Sequence, residues 1–436
     1  MKQLQKARKS IDRADKRMAG LFCRRMKTVE AIAAYKRENG LPVLDPAREQ
    51  AMLSESVTRV PADLSSEYRS FLRHTLSVSR SHQNRMADAA THPDSFLPVF
   101  TDNGYYPIFL ERGLLGRADA FLSLSRRVLI VTDDGVPDDY VKTFASLCTA
   151  PTVVTLPHGE SSKSVENWMT LSRTMLEHGF TRADCVVALG GGMVGDLAGF
   201  AASTFMRGID FYNIPTTLLA QVDSSIGGKT AVDYNGIKNP IGSFYPPKAV
   251  LIDPNLLNTL SPKLFSEGMA EVLKMAVTFD RAFFERLEAL ILSDRVKDDL
   301  PEIIRSALLI KKEVVEQDEH EAHLRRALNF GHTVGHAVEA GTDLLHGECV
   351  ALGMLVFSAP AVRTRLVPLY EKLGLPRTVS LAAAAFAEAL PHDKKAGKDK
   401  ITVIVCDGIG SFAMKDLSPM EILKKAASTF AGKESV

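Results

Sequence analysis

Apolar residues recur at helical spacing through the first 35 positions: Leu4, Ile11, Met18, Leu21, Phe22, Val29 and Ile32. Gly and Pro are almost absent before "NGLPVLDP". Two further stretches, roughly 46–58 and 64–86, keep the helical period, so the chain is expected to open as an all-α unit. The segment "DAATHPDSFLP", 88–98, loses that period and reads as a linker. Beyond it the texture changes. Short apolar runs, "RVLIVTDD", "TVVTLP", "CVVALGGG" and "AVLIDP", alternate with helical stretches, which predicts a mostly parallel α/β sheet. From about residue 263 the pattern is helical again, with one late strand expected at "KITVIVCDG". The reading is a multidomain chain: a helical unit over 1–90, a linker over 91–98, an α/β domain over 99–262 and a mostly α-helical domain over 263–436. No internal repeat or low-complexity tract interrupts it.

Composition narrows the class without naming a chemistry. The chain has 436 residues, 45% hydrophobic and 24% charged, with a formal net charge of +1. That balance argues against a nucleic-acid partner. No apolar run approaches the roughly 18 to 20 residues of a membrane span. The opening "MKQLQKARKSIDRADKRM" has no hydrophobic segment of the secretory kind. The five cysteines, Cys23, Cys148, Cys185, Cys349 and Cys406, are scattered without CxxC spacing. They fit reduced thiols and a cytoplasmic location.

Charge is uneven at the start. Residues 1–40 carry twelve Lys/Arg against four Asp/Glu. A solvated basic helix face explains this, and nucleic-acid binding lacks the aromatic interleaving it would need. A third reading is an anion site, because guanidinium groups from several helices match carboxylates in bidentate fashion. The blocks "RKSIDRAD", "RR", "AYK", "LPVLDPARE" and "SVSRSHQ" resemble the all-helical chorismate mutase family across the whole unit. The resemblance implies a site of Arg8, Arg25, Lys36, Asp45, Arg48, Glu49, Ser79 and Gln83, with Arg8 reaching into a partner subunit, hence a homodimer of long helices. It implies that Arg8, Arg25 and Arg48 hold carboxylates, that Lys36 and Gln83 donate to the ether oxygen, and that Glu49 holds the ring hydroxyl. Such a pericyclic rearrangement needs a compact substrate conformer and stabilised charge, not covalent catalysis.

"VVALGGGMVGDLAGFAA" is an apolar strand running through glycines into a helix. Such a turn can bring backbone against a pyrophosphate, and it also occurs for purely structural reasons. The blocks "GGGMVGDLAGFAASTFMRG", "IPTTLLAQVDSSIGGKTAVDYNGIKNPIGSFYPP", "EGMAEVLK", "RALNFGHTVGHAVE" and "HGECVALGM" together resemble 3-dehydroquinate synthase from about residue 97 to the end. The resemblance implies an atypical NAD-binding α/β domain followed by a helical metal- and substrate-binding domain. By position it gives Asp133, Glu160, Lys163, Gly191, Gly192, Asp196, Thr216, Thr217, Lys238 and Thr259 to the dinucleotide. Gly135 stands where family members often have Asn, so a side-chain contact to the cofactor is expected to be missing there.

The stretch "LNFGHTVGHAVEAGTDLLHGE" sets His332 and His336 one helical turn apart, with His346 following. Histidines at i and i+4 suggest a zinc pair; any single one is more often only a packed side chain. The resemblance splits the pair. It makes Glu271, His332 and His346 ligands of Zn2+ (or Co2+), and His336 a proton-handling neighbour. It adds Arg207 (from a partner subunit), Asp223, Lys229, Asn239, Lys274, Lys311, Glu321, Arg325, Asn329, and Lys394 or Lys395 around a phosphorylated, carboxylated substrate.

The reaction this implies oxidises C5 of 3-deoxy-D-arabino-heptulosonate 7-phosphate with NAD as hydride acceptor. Phosphate then leaves by β-elimination, the hydride is returned, the ring opens, and an intramolecular aldol step gives 3-dehydroquinate. The expectation is therefore a bifunctional shikimate-pathway enzyme with small-molecule substrates. Its rivals are a synthase with a non-catalytic regulatory helical module, a related sugar-phosphate cyclase, and an NAD/zinc polyol dehydrogenase.

Overall fold

The computed structural model describes residues 1–102, 104–321, 323–380 and 400–430. Its contacts divide the chain into two compact units, Met1–Pro107 and Ile108–Val436.

In the first unit the breaker-poor opening becomes one helix, α1 (Lys2–Glu38), about 55 Å long at 1.5 Å per residue. Of its periodic apolar residues only Val29 is buried; Leu4, Ile11, Met18, Leu21, Phe22 and Ile32 stay exposed in the single chain. The period is helical, but this chain does not itself cover the face. Helix α2 (Pro46–Ser56) starts where the Asp45 side chain accepts from the Arg48 amide at 3.0 Å, with Pro in its first turn. Helix α3 (Ser65–Thr91) packs on α1 through buried Leu76, Ser79 and Gln83.

Helix α3 runs five residues past the expected end, because "ADAAT" is helix-forming and holds no breaker. Strand β1 (Phe96–Thr101) begins inside the segment read as a linker. Leu97 and Val99 alternate inward there, and Pro98 takes an intervening position. At the start of β2 (Gly104–Leu110), the Tyr105 hydroxyl donates to Asp88 at 2.6 Å. The Arg85 guanidinium lies 5.7 Å over the Phe100 ring. The last turns of α3 are thus clasped to the hairpin.

Strand β2 continues past Pro107 and pairs, from Ile108 to Leu110, with β9 (Ala249–Ile252). The second unit's sheet runs in the order β2-β9-β6-β5-β3-β4, every pair parallel, with β3 (Arg127–Asp133), β4 (Ala150–Leu156), β5 (Cys185–Gly190) and β6 (Asp210–Pro215). Central parallel strands are covered on both faces, which is why "RVLIVTD" and "CVVALG" are unbroken apolar runs. Helices α4 (Asp138–Ala145), α5 (Val165–Glu177) and α6 (Gly192–Thr204) connect them. Helix α6 is apolar apart from Asp196 and its last two residues, buries eight residues and forms the core with Leu129, Val131, Val186 and Phe211. The chain goes outward from β3 to β4 and returns to β5 on the other side, so strand order reverses at β3/β5. An antiparallel hairpin follows, β7 (Lys229–Tyr234) and β8 (Ile237–Phe244).

The helical part comprises α7 (Pro262–Phe279), α8 (Arg281–Leu292), α9 (Leu300–Gln317), α10 (His332–Glu339), α11 (His346–Phe357) and α12 (Pro360–Leu373). Helices α7 and α11 are buried along nearly their whole length. Glycines on α11 admit its neighbours: a Cβ at Gly347 would lie 2.3 Å from the Glu267 carbonyl oxygen on α7, and one at Gly353 would lie 1.9 Å from that of Gly331 at the start of α10. The late strand is present as β10 (Ile401–Gly408), and it has a partner the pattern did not predict, β11 (Ser411–Leu417). "SFAMKDL" is largely exposed and partly charged, so it carries no apolar alternation. Helix α13 (Pro419–Phe430) follows. No helix among the described residues is long and apolar enough to cross a membrane.

Candidate active site

Parallel strands present their carboxyl ends on one edge of the sheet, where open α/β folds bind ligands at the reversal of strand order. Asp133 ends β3, Glu160 and Lys163 follow β4, Gly191 and Gly192 follow β5, Thr216 and Thr217 follow β6, and Thr259 follows β9. Gly191 caps α6, and a Cβ at Gly192 would sit 3.0 Å from Ser224 Oγ, so the turn leaves backbone bare. At the Gly135 position the main chain does the bonding: its amide donates to Asp133 Oδ1 at 2.9 Å.

Lys163 is buried among three carboxylates, paired with Glu160 and 3.4 Å from Asp196 and 3.9 Å from Asp233. Burial pushes Asp196 up to about 7, against the pull of Lys163 and with repulsion from Glu160 and Asp233 adding to it. Asp233 was not among the expected residues. It accepts from the Asn239 amide at 2.7 Å and so ties the end of β7 to the irregular start of β8, where Asn239 has φ +54° beside Lys238.

Helix α7 carries Glu271 with no exposed surface. Its Oε1 faces His332 Nε2 at 3.8 Å and His346 Nε2 at 3.9 Å. Lys274, one turn on, pairs with Oε2 by distance but without hydrogen-bond alignment, and neither carboxylate oxygen has a hydrogen bond. Lys274 already supplies one positive charge at Oε2, and what remains open is Oε1, fully buried and turned to two imidazole nitrogens, an arrangement that suits a shared cation. Three donors around a small metal at 2.0–2.1 Å would stand about 3.4 Å apart in a tetrahedral shell. The observed separations are slightly wider, so the donor set fits a metal. Burial, then Lys274 and His346, hold His332 well below the usual imidazole range, which keeps it neutral with a lone pair to give. His336 is exposed one turn along α10, its ring 5.4 Å from that of His332 and 5.8 Å from that of His346. His336, Glu339 and His346 also bring donor atoms within 4.8 Å of one another. Glu339 there already accepts from Lys238 Nζ at 2.8 Å.

Next to the cage opens a cleft of about 600 Å³, lined by Asp196, Asp223, Lys229, Asn239, Lys274, Lys311, Glu321, Arg325, Asn329 and His332. Its charges are paired internally. Lys311 donates to Asp223, which sits on a single π-helical turn, Ala220–Ser224. Lys229 pairs with Glu321, whose other oxygen accepts from Asn329 Nδ2 at 2.7 Å. Arg325 is buried, donates to the Glu319 carbonyl at 2.6 Å and presses on Gly227. With φ +100° and a Cβ that would fall 2.2 Å from the guanidinium, Gly227 admits no side chain. Arg207 lies elsewhere, exposed in a left-handed turn (φ +70°), and does not line the cleft. Lys394 and Lys395 lie outside the described residues.

In the first unit Arg25 donates to Ser79 Oγ beside Gln83, whose Oε1 is buried without a partner. Lys36 donates to the Val43 carbonyl at 2.7 Å. Glu49 is paired with Arg80, a residue not among those expected although "SVSRSHQ" contains it. Asp45 and Arg48 are exposed nearby on α2. Arg8 is not brought to this cluster: it stands on the exposed half of α1, about 25 Å along the helix axis from Arg25.

Neutral imidazoles, a buried carboxylate and paired charges gathered around one open cleft suit an enzyme rather than a structural protein. Residues 153–267 match the 3-dehydroquinate synthase N-terminal family, 268–396 the 3-dehydroquinate synthase C-terminal family, and 7–84 the chorismate mutase type II family. The 3-dehydroquinate synthase of Sulfurovum sp. (strain NBC37-1) is 42% identical over 324 residues, 71% of this chain and 92% of that protein. Among solved structures, ValA, the 2-epi-5-epi-valiolone synthase of Streptomyces hygroscopicus subsp. jinggangensis 5008 with NAD+ and Zn2+ bound, is 28% identical. It aligns with a TM-score of 0.69 over 77% of this chain and 99% of its own. A 2-deoxy-scyllo-inosose synthase complexed with carbaglucose-6-phosphate, NAD+ and Co2+ shares the fold, at 24% identity and a TM-score of 0.68 over 77% of this chain and 99% of its own. The chain belongs to the 3-dehydroquinate synthase family and carries a chorismate mutase type II domain ahead of it. It is an enzyme of both kinds, a lyase and an isomerase.

Proposed function

We propose that the second unit converts 3-deoxy-D-arabino-heptulosonate 7-phosphate to 3-dehydroquinate and phosphate, and that the helical unit rearranges chorismate to prephenate. The observation that carries the first half is the Glu271/His332/His346 cage opening onto a cleft with Lys229, Lys274, Lys311 and Arg325. Zn2+ (or Co2+) would be held by the cage. NAD would be held by Asp133, Glu160, Lys163, Gly191, Gly192, Asp196, Thr216, Thr217, Lys238 and Thr259. When bound, NAD supplies a hydride acceptor that later gives the hydride back, and the metal supplies acidity to the hydroxyl being oxidised.

The chain's own residues bind, orient and move protons. The cleft lysines exchange their carboxylate partners for the substrate's phosphate and carboxylate, so that charge is replaced by charge in a site of low dielectric. Arg325, Asn329 and Asn239 hold the sugar's polar groups, with Lys394 or Lys395. Asp223 and Glu321 keep Lys311 and Lys229 in place until substrate arrives. His336, exposed beside the cage, handles the proton of the oxidised hydroxyl. Phosphate leaves with its own oxygen as base.

For chorismate, Arg25 and Arg48 hold carboxylates together with Arg8 of a second copy, Lys36 and Gln83 donate to the ether oxygen, and Glu49 holds the hydroxyl. Asp45 and Ser79 complete that site. The exposed Leu4, Ile11 and Met18, seven residues apart on α1, support a homodimer of long helices. The enzyme would act in the cytoplasm.

Purified protein given the heptulosonate phosphate should release phosphate without net NADH. Steady accumulation of NADH would make it a dehydrogenase instead. Chorismate depletion, followed on the same preparation, separates an active mutase from a regulatory module.

A further inference from the structure

Glu339 ends α10 one turn beyond His336. Its side chain is only 16% exposed. Oε1 accepts from Lys238 Nζ at 2.8 Å, and Oε2 faces His346 Nδ1 at 3.5 Å. The other ring nitrogen of His346, Nε2, faces Glu271 at 3.9 Å. The imidazole therefore lies between two carboxylates. Each holds an ammonium on its other oxygen, Lys274 on the inner one and Lys238 on the outer one.

A neutral imidazole carries its proton on one nitrogen and offers a lone pair on the other, and the hydrogen bond at the first fixes which is which. A carboxylate at Nδ1 keeps the proton there and turns the Nε2 lone pair towards Glu271. His332 has the same polarity by other means: its Nδ1 faces the Phe330 carbonyl at 3.3 Å while Nε2 faces Glu271 at 3.8 Å. The two anchors differ in kind. One is fixed main chain; the other is a side chain shared with the β7–β8 hairpin.

Glu339 could instead be a ligand itself, with His336 and His346. Either grouping sets a dication beside an ammonium, Lys238 outside or Lys274 inside; the outer one would leave the fully buried Glu271 with Lys274 as its only cation.

We infer that Glu339 is a positioning residue that orients His346 for the metal and, through Lys238, ties that ligand to the hairpin. The inference rests on the proposed reading of the Glu271/His332/His346 cage. Residues that anchor a ligating histidine from outside the shell typically contribute ten- to hundredfold in metal affinity.

The test uses the full-length protein, with Zn2+ affinity from equilibrium competition against a chelator and the visible spectrum of the Co2+ form. If the wild type takes up no divalent ion, it is the reading of the cage that fails. Given about one ion per chain in the wild type, Glu339→Ala should keep that stoichiometry and bind Zn2+ about ten- to hundredfold more weakly. Its Co2+ bands should move. Glu339→Gln, whose amide oxygen still accepts from Nδ1, should recover part of the affinity and shift the bands back. Lys238→Met should weaken binding in the wild type and add nothing in the Glu339→Ala background. Wild-type affinity and spectrum in both Glu339 variants would overturn the inference. So would loss of the ion in Glu339→Gln to the extent seen in His346→Ala, because that makes Glu339 a ligand. The Gln variant preserves shape, so a folding defect in the Ala variant leaves the question decided.

Discussion

A side chain's role at this site follows from what its unpaired atoms face. Glu271 keeps Oε1 turned to two imidazoles while Oε2 is paired with Lys274, and His332 is held neutral beside it. His332→Ala and His346→Ala should each abolish zinc uptake by elemental analysis, whereas His336→Ala should retain the ion and lose turnover. Metal loss in His336→Ala would move the ion to the outer grouping. Asp196 gives a second expectation, through pH. Its folded value of about 7 lies above the ordinary carboxylate value, so the folded protein holds this proton more tightly than the unfolded chain. The associated stability is present in acid and is lost as pH rises from about 4 through 7. Thermal unfolding across that range should show the wild type falling relative to Asp196→Asn. Parallel curves would mean that the Lys163 ammonium keeps Asp196 ionised throughout.

Among the elements, the clasp between α3 and the β1–β2 hairpin stands on few contacts. Tyr105→Phe removes the donor to Asp88, a carboxylate whose affinity for protons burial has already raised. Leaving it unsatisfied should cost roughly 1–3 kcal/mol, seen as a lower melting transition of the helical unit at neutral pH. No change would mean that solvent takes the phenol's place. Long helices and buried parallel strands were legible because each repeats one signal many times, as α1 and β5 do. The clasp was not, because it depends on Asp88 and Tyr105, which are seventeen residues apart and unremarkable singly. Strands β8 and β11 escaped the pattern for a related reason: exposed over most of their length, they alternate nothing, while β7 buries only the short run Thr230–Val232. At the site, Glu271, His332 and His346 could be named from ordered blocks. Glu339 and Arg80 lay inside quoted blocks, yet their partners come from distant elements, and spacing along the chain says nothing of those.

At the scale of the molecule, two chemistries are assigned to one chain, and each has a discriminating substrate or surface. The cationic cleft suits a sugar phosphate that also bears a carboxylate at C1. The heptulosonate phosphate should therefore turn over and sedoheptulose 7-phosphate should not. Lys311→Met should lower kcat/KM by at least about a hundredfold, since losing one partner of a buried charged hydrogen bond costs roughly 2–5 kcal/mol. Equal turnover of both sugars would place the enzyme with the other cyclases. On the helical side, Ile11→Glu puts a charge on the uncovered face of α1. If Arg8 acts on a second copy as proposed, sedimentation should then report a smaller assembly and chorismate consumption should fall with it. A monomeric wild type with full mutase activity would refute that arrangement.

Strand β2 belongs to both units, and this has a consequence in time. Its far half pairs with β9, which begins about 140 residues later in the chain. At about 5–20 residues per second, a ribosome takes roughly 7 to 30 s to make that stretch. During the interval Ile108–Leu110 is an unpaired apolar strand end on a nascent chain, the kind of edge that recruits other chains. The helical unit is already complete by then, and Tyr105 and Asp88 can hold the hairpin against α3 while the strand waits for its neighbour. Weakening that hold would show first in the yield of folded protein from cells, before any assay of either reaction registered it.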